Sequence, residues 1–375
     1  MSTDSALTLY DGGHEAFPAI LEAIEQAKES IFINMFIWRE DTIGTRMAEA
    51  VLAAADRGVH VRIVKDRYGV VLEKAEECRL SLLHRTQTPI ERLKSRALCA
   101  FYAPEAGKWK AEGKSPLYDR LISHENITLD ADRFRADHSK FYLIDGEILF
   151  LGGVNIEDKE NGADLRGRVY GDYMVRLAGR EYVTAFLAER EGEAPAQNLP
   201  VRFPMNRKER SILGMEEHYL SLIENAEEEL LIVMAYLSPL PRFLDAILRA
   251  HHRGCKVTVM IPSEANFQND TNRRTVRRLL AKSGGGITVL LSKKMLHTKL
   301  ILSEKAVSLG STNITKKAFG QLDELNLALE MREDDPFTIA LRASLARELA
   351  EAERPADYKK ITYRPLVAFF EGLLV

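Results

Sequence analysis

The chain has 375 residues, of which 46% are hydrophobic and 29% charged, and its formal net charge is −3. That length lets two domains of ordinary size each bury a core, and the composition excludes a disordered or collagenous chain. The near-neutral balance excludes a global basic field for nucleic acid or anionic lipid, so any site for a polyanion must be local.

Cys78, Cys99 and Cys255 are odd in number, widely spaced and without a CxxC pair. That pattern argues against a disulfide framework or a zinc site and fits a reducing compartment. The start, Met1-Ser2-Thr3-Asp4, has no signal-peptide pattern, and no apolar run reaches the roughly 20 residues of a membrane span. The expectation is a cytoplasmic protein, soluble or peripheral on the inner face of the cell membrane.

In chain order, Phe17 to Ala27 carries a helical pattern, followed by the apolar run Ile31 to Ile37. A second helical stretch covers Gly44 to Asp56, then Arg57-Gly58 leads into the run Val59 to Val64. Alternation at these lengths predicts a βαβ-type layered α/β domain, with Gly58 as a helix C-cap. Residues from about 70 to 125 form an insertion rich in Arg79, Arg85, Arg92, Lys94, Arg96, Lys108, Lys110, Lys114 and Arg120. Phe101, Tyr102, Trp109 and Tyr118 are interleaved with them. Two readings stand: a solvated charged face, or a rim that meets phosphate headgroups.

His138-Ser-Lys140 follows, in a segment that reads as a buried strand ending near Asp145, and then Gly152-Gly153-Val154-Asn155. A Pro-containing stretch from Glu191 to Pro204 reads as a linker. The second half repeats the first: a helix from Met215 to Ala226, the run Leu230 to Met234, a helix through Phe243 to His251, Arg253-Gly254, and a strand from Cys255 to Ile261. His297-Thr-Lys299 and Gly310-Ser311-Thr312-Asn313 then recur in the same order. An internal duplication sets the architecture, with domains at 1–195 and 205–375. The tail, Pro365 to Val375, is strongly apolar and reads as a final helix docked on the core or as a membrane-touching anchor.

Period-two alternation puts His138 and Lys140 on one strand face, and likewise His297 and Lys299. An imidazole beside an ammonium suits a phosphate: the lysine neutralises non-bridging oxygens while the histidine attacks phosphorus or moves a proton. A nucleophilic or acid/base histidine also needs an acceptor on its second nitrogen.

The pattern His-x-Lys-x4-Asp followed by Gly-[Gly/Ser]-x-Asn resembles the phospholipase D superfamily over nearly the whole chain. The Gly-Gly-x-Asn and Gly-Ser-x-Asn pairing resembles its cardiolipin-synthase-like branch, as do Phe36 to Gly44, Ala54 to Arg62 with Asp66, and Ala235 to Pro239. The second motif departs from the pattern in having Glu304 for the usual aspartate.

The resemblance implies two layered α/β domains related by a pseudo-twofold axis and sharing one metal-free active site. It makes His138 the nucleophile of a covalent phosphohistidine and His297 the general acid/base, although chemical symmetry leaves open which histidine attacks. Lys140 and Lys299, helped by Asn155 and Asn313, grip phosphoryl oxygens. Ser311 supplies a hydroxyl at the rim of the substrate site, opposite Gly153 of the first motif. Glu324 stands where the family places the carboxylate that supports the second histidine, and Asp172 is the matching candidate for the first; the alternative is that both are ordinary surface charges. The implied substrate is a phospholipid such as phosphatidylglycerol, met at a peripheral membrane surface. A hydrolase using water as acceptor, a nuclease or a lipid-binding scaffold are the alternatives, and nucleic acid is disfavoured by the charge.

Overall fold

The computed structural model describes residues 6–77, 81–102, 115–162, 169–194, 199–355 and 357–374. In the first half, α1 (Gly13–Gln26) and α2 (Thr42–Asp56) flank the strand Ser30–Met35. Asp41 caps α2 by accepting from the Gly44 N–H, and Gly58 ends the turn after it at φ +92°, a conformation costly for any residue with a Cβ. Gly254 does the same at φ +99° in the second half.

The first sheet has seven strands, in the spatial order Leu7–Asp11, Tyr173–Ala178, Ile148–Gly152, Phe141–Ile144, Ser30–Met35, His60–Lys65 and Ile127–Asp130. Its last three strands pair in parallel and the others antiparallel. Side chains alternate between faces. Ile31, Ile33 and Met35 pack under α1 and α2, while Phe32 turns to the opposite side with Phe141.

The second half repeats this plan. Its nine-stranded sheet contains the parallel set Glu229–Met234, Lys256–Pro262 and Thr288–Ser292, and the antiparallel set Lys299–Ser303, Ala306–Gly310 and Glu324–Glu330. Leu230, Ile232 and Met234 pack under α7 (Met215–Asn225), α8 (Pro241–His252) and α9 (Asn269–Lys282), while Leu231 and Val233 face the first half. The two sheets thus share one apolar layer, in which Phe141, Leu149, Leu151 and Val175 join Leu231, Val233, Leu300 and Leu327. α6 (Arg180–Arg190) and α11 (Pro336–Glu351) contribute Phe186 and Phe337 to it. Each such side chain contributes roughly 1.5–3 kcal/mol, against about 0–1 for a surface ion pair, so apolar contact fixes one half on the other.

Every strand of the first sheet comes from residues before 179. The expected linker is shorter than its composition suggests: Val201–Arg202 is a strand that pairs with Glu324–Glu330 of the second sheet. The insertion is helical, with α3 (Gly69–Glu77), α4 (Pro89–Tyr102) and α5 (Pro116–Ser123). α5 returns to the outer helix layer through buried Leu121. Arg79, Lys108, Trp109, Lys110 and Lys114 lie outside the described residues, as do the side chains of Phe101 and Tyr102.

Candidate active site

The two histidine–lysine motifs sit at the mouths of strands rather than within them. His138 to Lys140 precede Phe141–Ile144, and Lys299 is the first residue of Lys299–Ser303. The cause lies in the backbone. The His138 N–H donates to the Asp323 carbonyl at 2.8 Å, and the His297 N–H to the Gly171 carbonyl at 2.8 Å. Each histidine therefore pairs with the other half of the chain. Lys140 and Lys299 are fully buried behind them, Lys140 lying 5.3 Å from the Phe36 ring centroid.

The same crossing decides the supporting acids. Glu324 and Asp172 each follow the residue that receives a histidine N–H, so each reaches the histidine of the opposite half. His138 Nδ1 is 3.1 Å from Glu324 Oε2 and 3.1 Å from the Ser311 carbonyl oxygen, and His297 Nδ1 is 3.0 Å from Asp172 Oδ2. This reverses the assignment made from sequence, which gave Glu324 to the second histidine and Asp172 to the first. Neither acid is a surface charge: Glu324 is 1% exposed and Asp172 3%.

The glycine–serine asymmetry has a packing cause. A Cβ at Gly153 would stand 2.1 Å from Asp172 Oδ2, so only glycine leaves room for that carboxylate. The matching Ser311 is fully buried and donates its Oγ to Glu324 Oε2, while its Oγ also accepts from the Leu325 N–H at 2.9 Å. Ser311 is therefore not at the rim, and neither it nor Gly153 lines the cleft: both shape the acids beneath the histidines.

Sequence reasoning missed a third acid. Glu160 Oε1 lies 3.1 Å from His297 Nδ1, and both its carboxylate oxygens are buried without hydrogen-bond partners. No periodicity or motif position marked it. The two histidines consequently differ. Burial, Lys140, Lys299 and the other imidazole hold His138 well below the usual histidine range. Burial and Lys299 push His297 down as well, but Glu160 and Asp172 outweigh them and raise it. Burial pushes Glu324 up to about 8 against the pull of Ser311, Lys140 and Lys299, and burial lowers Lys140 to about 7. For Asp172, Lys299 and His297 overcome burial and keep the carboxyl low.

Behind His297 lies a buried charged network that also escaped the sequence reading. Arg39 donates to Glu76 Oε2 and Glu157 Oε2, both at 2.7 Å, and Lys159 is 3.1 Å from Glu157. Tyr170 Oη and Asn266 Nδ2 donate to Glu76 Oε1 at 2.7 and 3.1 Å. Removing one member of such a buried set costs about 3–5 kcal/mol, so the network ties α3 of the insertion to both halves.

His138, His297, Asn155 and Asn313 line one cleft of about 1020 Å³. Near the network its wall is polar, with Glu76, Lys159 and Tyr236; elsewhere Val71 and Leu72 of α3, Leu98 of α4, Phe134, and Phe370 of α12 (Pro365–Leu374) make it apolar.

Paired histidines and amides lining one cleft, with a lysine buried behind each histidine, delivered symmetrically by a duplicated α/β fold, define an enzyme of the phospholipase D superfamily. The family model described as cardiolipin synthase, PLD-like domain, matches residues 20–166 and again 219–344, and the chain belongs to that family. Cardiolipin synthase B of Escherichia coli (strain K12) is 27% identical over 367 residues, covering 90% of this chain and 79% of that protein. A cardiolipin synthase 2 of Staphylococcus epidermidis is 22% identical over 397 residues, covering 100% and 74%. The crystal structure of phosphatidylserine synthase from Haemophilus influenzae Rd KW20 superposes with a TM-score of 0.67 at 12% identity, over 98% of this chain and 91% of that one, a likeness of fold.

Proposed function

We propose that the protein is a phosphatidyltransferase, moving a phosphatidyl group from one phospholipid to the hydroxyl of another through a phosphohistidine on His138. The observation that carries this reading is the cleft: the histidine pair stands in a space of about 1020 Å³ with an apolar wall suited to acyl chains.

With Nδ1 of His138 held by Glu324 and the Ser311 carbonyl, Nε2 is the nitrogen left to attack phosphorus. As the N–P bond forms, the bond from phosphorus to the leaving alkoxide breaks and His297 gives its proton to that oxygen. An acceptor hydroxyl then returns a proton to His297 and attacks phosphorus, and the N–P bond breaks. A lowered His138 and a raised His297 suit the neutral nucleophile and the protonated acid. Lys140 and Lys299 neutralise the non-bridging oxygens, with Asn155 and Asn313 beside them.

Among the described residues, no helix is long and apolar enough to cross a membrane. We infer a peripheral meeting with the bilayer through α12. It seats Ala368 and Glu371 against α9, where the Thr271 N–H donates to Glu371 Oε2 at 2.8 Å. It turns Leu366 and Phe369 outward at 75% and 55% exposure, while Phe370 borders the cleft. A helix with its carboxylate inward and Leu366 and Phe369 outward fits a lipid surface. Ile90 and Leu93 on α4 are exposed on the stripe that continues through Lys94 and Leu98 into the cleft.

The test is incubation of the protein with phosphatidylglycerol vesicles and resolution of the lipid products. Cardiolipin with release of glycerol, abolished in His138→Ala, is expected. Phosphatidic acid as the sole product would make the protein a hydrolase.

A further inference from the structure

Transfer of a phosphatidyl group to phosphatidylglycerol brings together two phosphates, and the histidine–lysine centre provides for one. The same cleft carries further cations that the centre does not use. Lys317, Lys208 and Arg135 all line it, on the side of His138.

Lys317 lies in α10 (Lys316–Gly320), which Thr315 caps by accepting from the Ala318 N–H. Its ammonium donates to Tyr68 Oη and sits 4.6 Å from the Tyr68 ring centroid. Among the described residues no carboxylate pairs with it. A phenol and a π face orient the half-buried cation without neutralising it. Tyr68 and Phe36 are 6.0 Å apart between ring centroids, and Phe36 and His138 4.8 Å, so the ammonium stands two aromatic rings along the wall from the nucleophile.

Its neighbours are basic. Arg135 pairs with Asp130 through Nη2, while Nη1 is buried without a hydrogen-bond partner. Lys208 donates to the Arg135 carbonyl at 3.0 Å and the Gln321 carbonyl at 2.6 Å, with Asp323 at 3.8 Å. Asp130 and Asp323, the partners of Arg135 and Lys208, do not line the cleft, so its wall at this end carries the three cations, whereas at the His297 end Glu76 and Glu157 line it beside Lys159.

We propose that Lys317, supported by Arg135 and Lys208, forms a second phosphate subsite that takes the phosphodiester anion of the acceptor phospholipid while His138 carries the phosphatidyl group. The inference rests on the transferase reading above. It gives that reading a physical basis for preferring an anionic lipid acceptor over water or a neutral alcohol, because only the former gains a charge-assisted contact.

The experiment is acceptor competition with the full chain, using phosphatidylglycerol vesicles in the presence of ethanol and measuring the ratio of cardiolipin to phosphatidylethanol. In Lys317→Met the ratio falls about tenfold, the size of one charge-assisted hydrogen bond. Transfer to ethanol persists and reports an intact catalytic centre. Lys317→Arg restores most of the ratio, and Arg135→Gln lowers it in the same direction. An unchanged ratio in Lys317→Met, or equal loss of both products, overturns the subsite while leaving the transferase reading in place. If the unaltered protein transfers to neither acceptor and yields phosphatidic acid alone, the transferase reading itself fails.

Discussion

His297 Nδ1 lies 3.0 Å from Asp172 Oδ2, although the two residues come from opposite halves of the chain. Glu160, also from the first half, adds a second carboxylate 3.1 Å from the same nitrogen. Among the described residues His138 has one such carboxylate, Glu324, whose charge is weakened by burial and shared with the Ser311 hydroxyl. Duplication made the two motifs alike, and their acids make them unlike.

That difference sets the pH dependence. In the proposed mechanism turnover needs His297 protonated and His138 neutral. His297 is raised, so the alkaline limb of the profile lies above the usual histidine value of about 6.5. His138 is lowered, so the acid limb lies below it. The other charged groups facing His297 are Lys299 and Asp172, with the Tyr170 and Tyr236 rings beside it. Glu160→Gln removes one negative charge and leaves these in place. In a kcat–pH series its alkaline limb moves to lower pH and its acid limb stays. An alkaline limb that does not move would show that Glu160 has no charge role.

The roles also separate by leaving group. A nitrophenolate departs without a proton, whereas a glycerol alkoxide does not. His297→Ala should therefore lose about 10²–10⁴-fold with phospholipid and far less with a nitrophenyl phosphodiester. It should also accumulate phosphorylated, acid-labile protein. His138→Ala should lose both activities. The opposite pattern would exchange the two histidines.

Gly153→Ala tests the packing beneath His297. Its Cβ would overlap Asp172 Oδ2, and the carboxylate must leave His297 and Lys299 to make room. Overpacking of this kind costs about 1–3 kcal/mol in stability, readable in a thermal melt. Turnover should fall by more than that destabilisation explains, because the displaced acid no longer supports His297. Normal turnover in a folded Gly153→Ala protein would mean that Asp172 is dispensable.

Much of this was legible in the sequence because local patterns repeat. The strands Ser30–Met35 and Glu229–Met234, the helices after them, and the turns at Gly58 and Gly254 stand within a few residues of where periodicity and glycine placed them. The motif acids are structural. Asp145 accepts from the N–H groups of Lys28, Glu29 and Ser30 at 2.8–2.9 Å, and the longer Glu304 does the same for residues 227 to 229 at 3.1–3.3 Å. What escaped depends on the chain crossing between halves. The exchange of Glu324 and Asp172 follows from the Asp323 and Gly171 carbonyls receiving the histidine N–H groups, a pairing no local pattern encodes. Glu160 and Glu76 reach the site from loop and insertion positions with no spacing signal.

The outward face of α12 makes the last prediction. Exposed Leu366 and Phe369 gain nothing from the protein interior, and Phe370 alone turns its ring to the cleft. If the helix meets a bilayer, burying those two side chains contributes roughly 1.5–3 kcal/mol each, enough to shift a membrane partition by tenfold or more. Leu366→Ser with Phe369→Ser should therefore reduce co-flotation with phosphatidylglycerol vesicles by at least that factor. Turnover of a water-soluble nitrophenyl phosphodiester should stay near the unaltered level, because neither side chain lines the cleft. The basic neighbours Arg278, Lys282, Lys359 and Lys360 are exposed on adjoining segments and are left in place, so residual flotation should be greater on anionic than on zwitterionic vesicles. Undiminished flotation would place the lipid contact elsewhere, with the α4 stripe of Ile90 and Leu93 next to be altered.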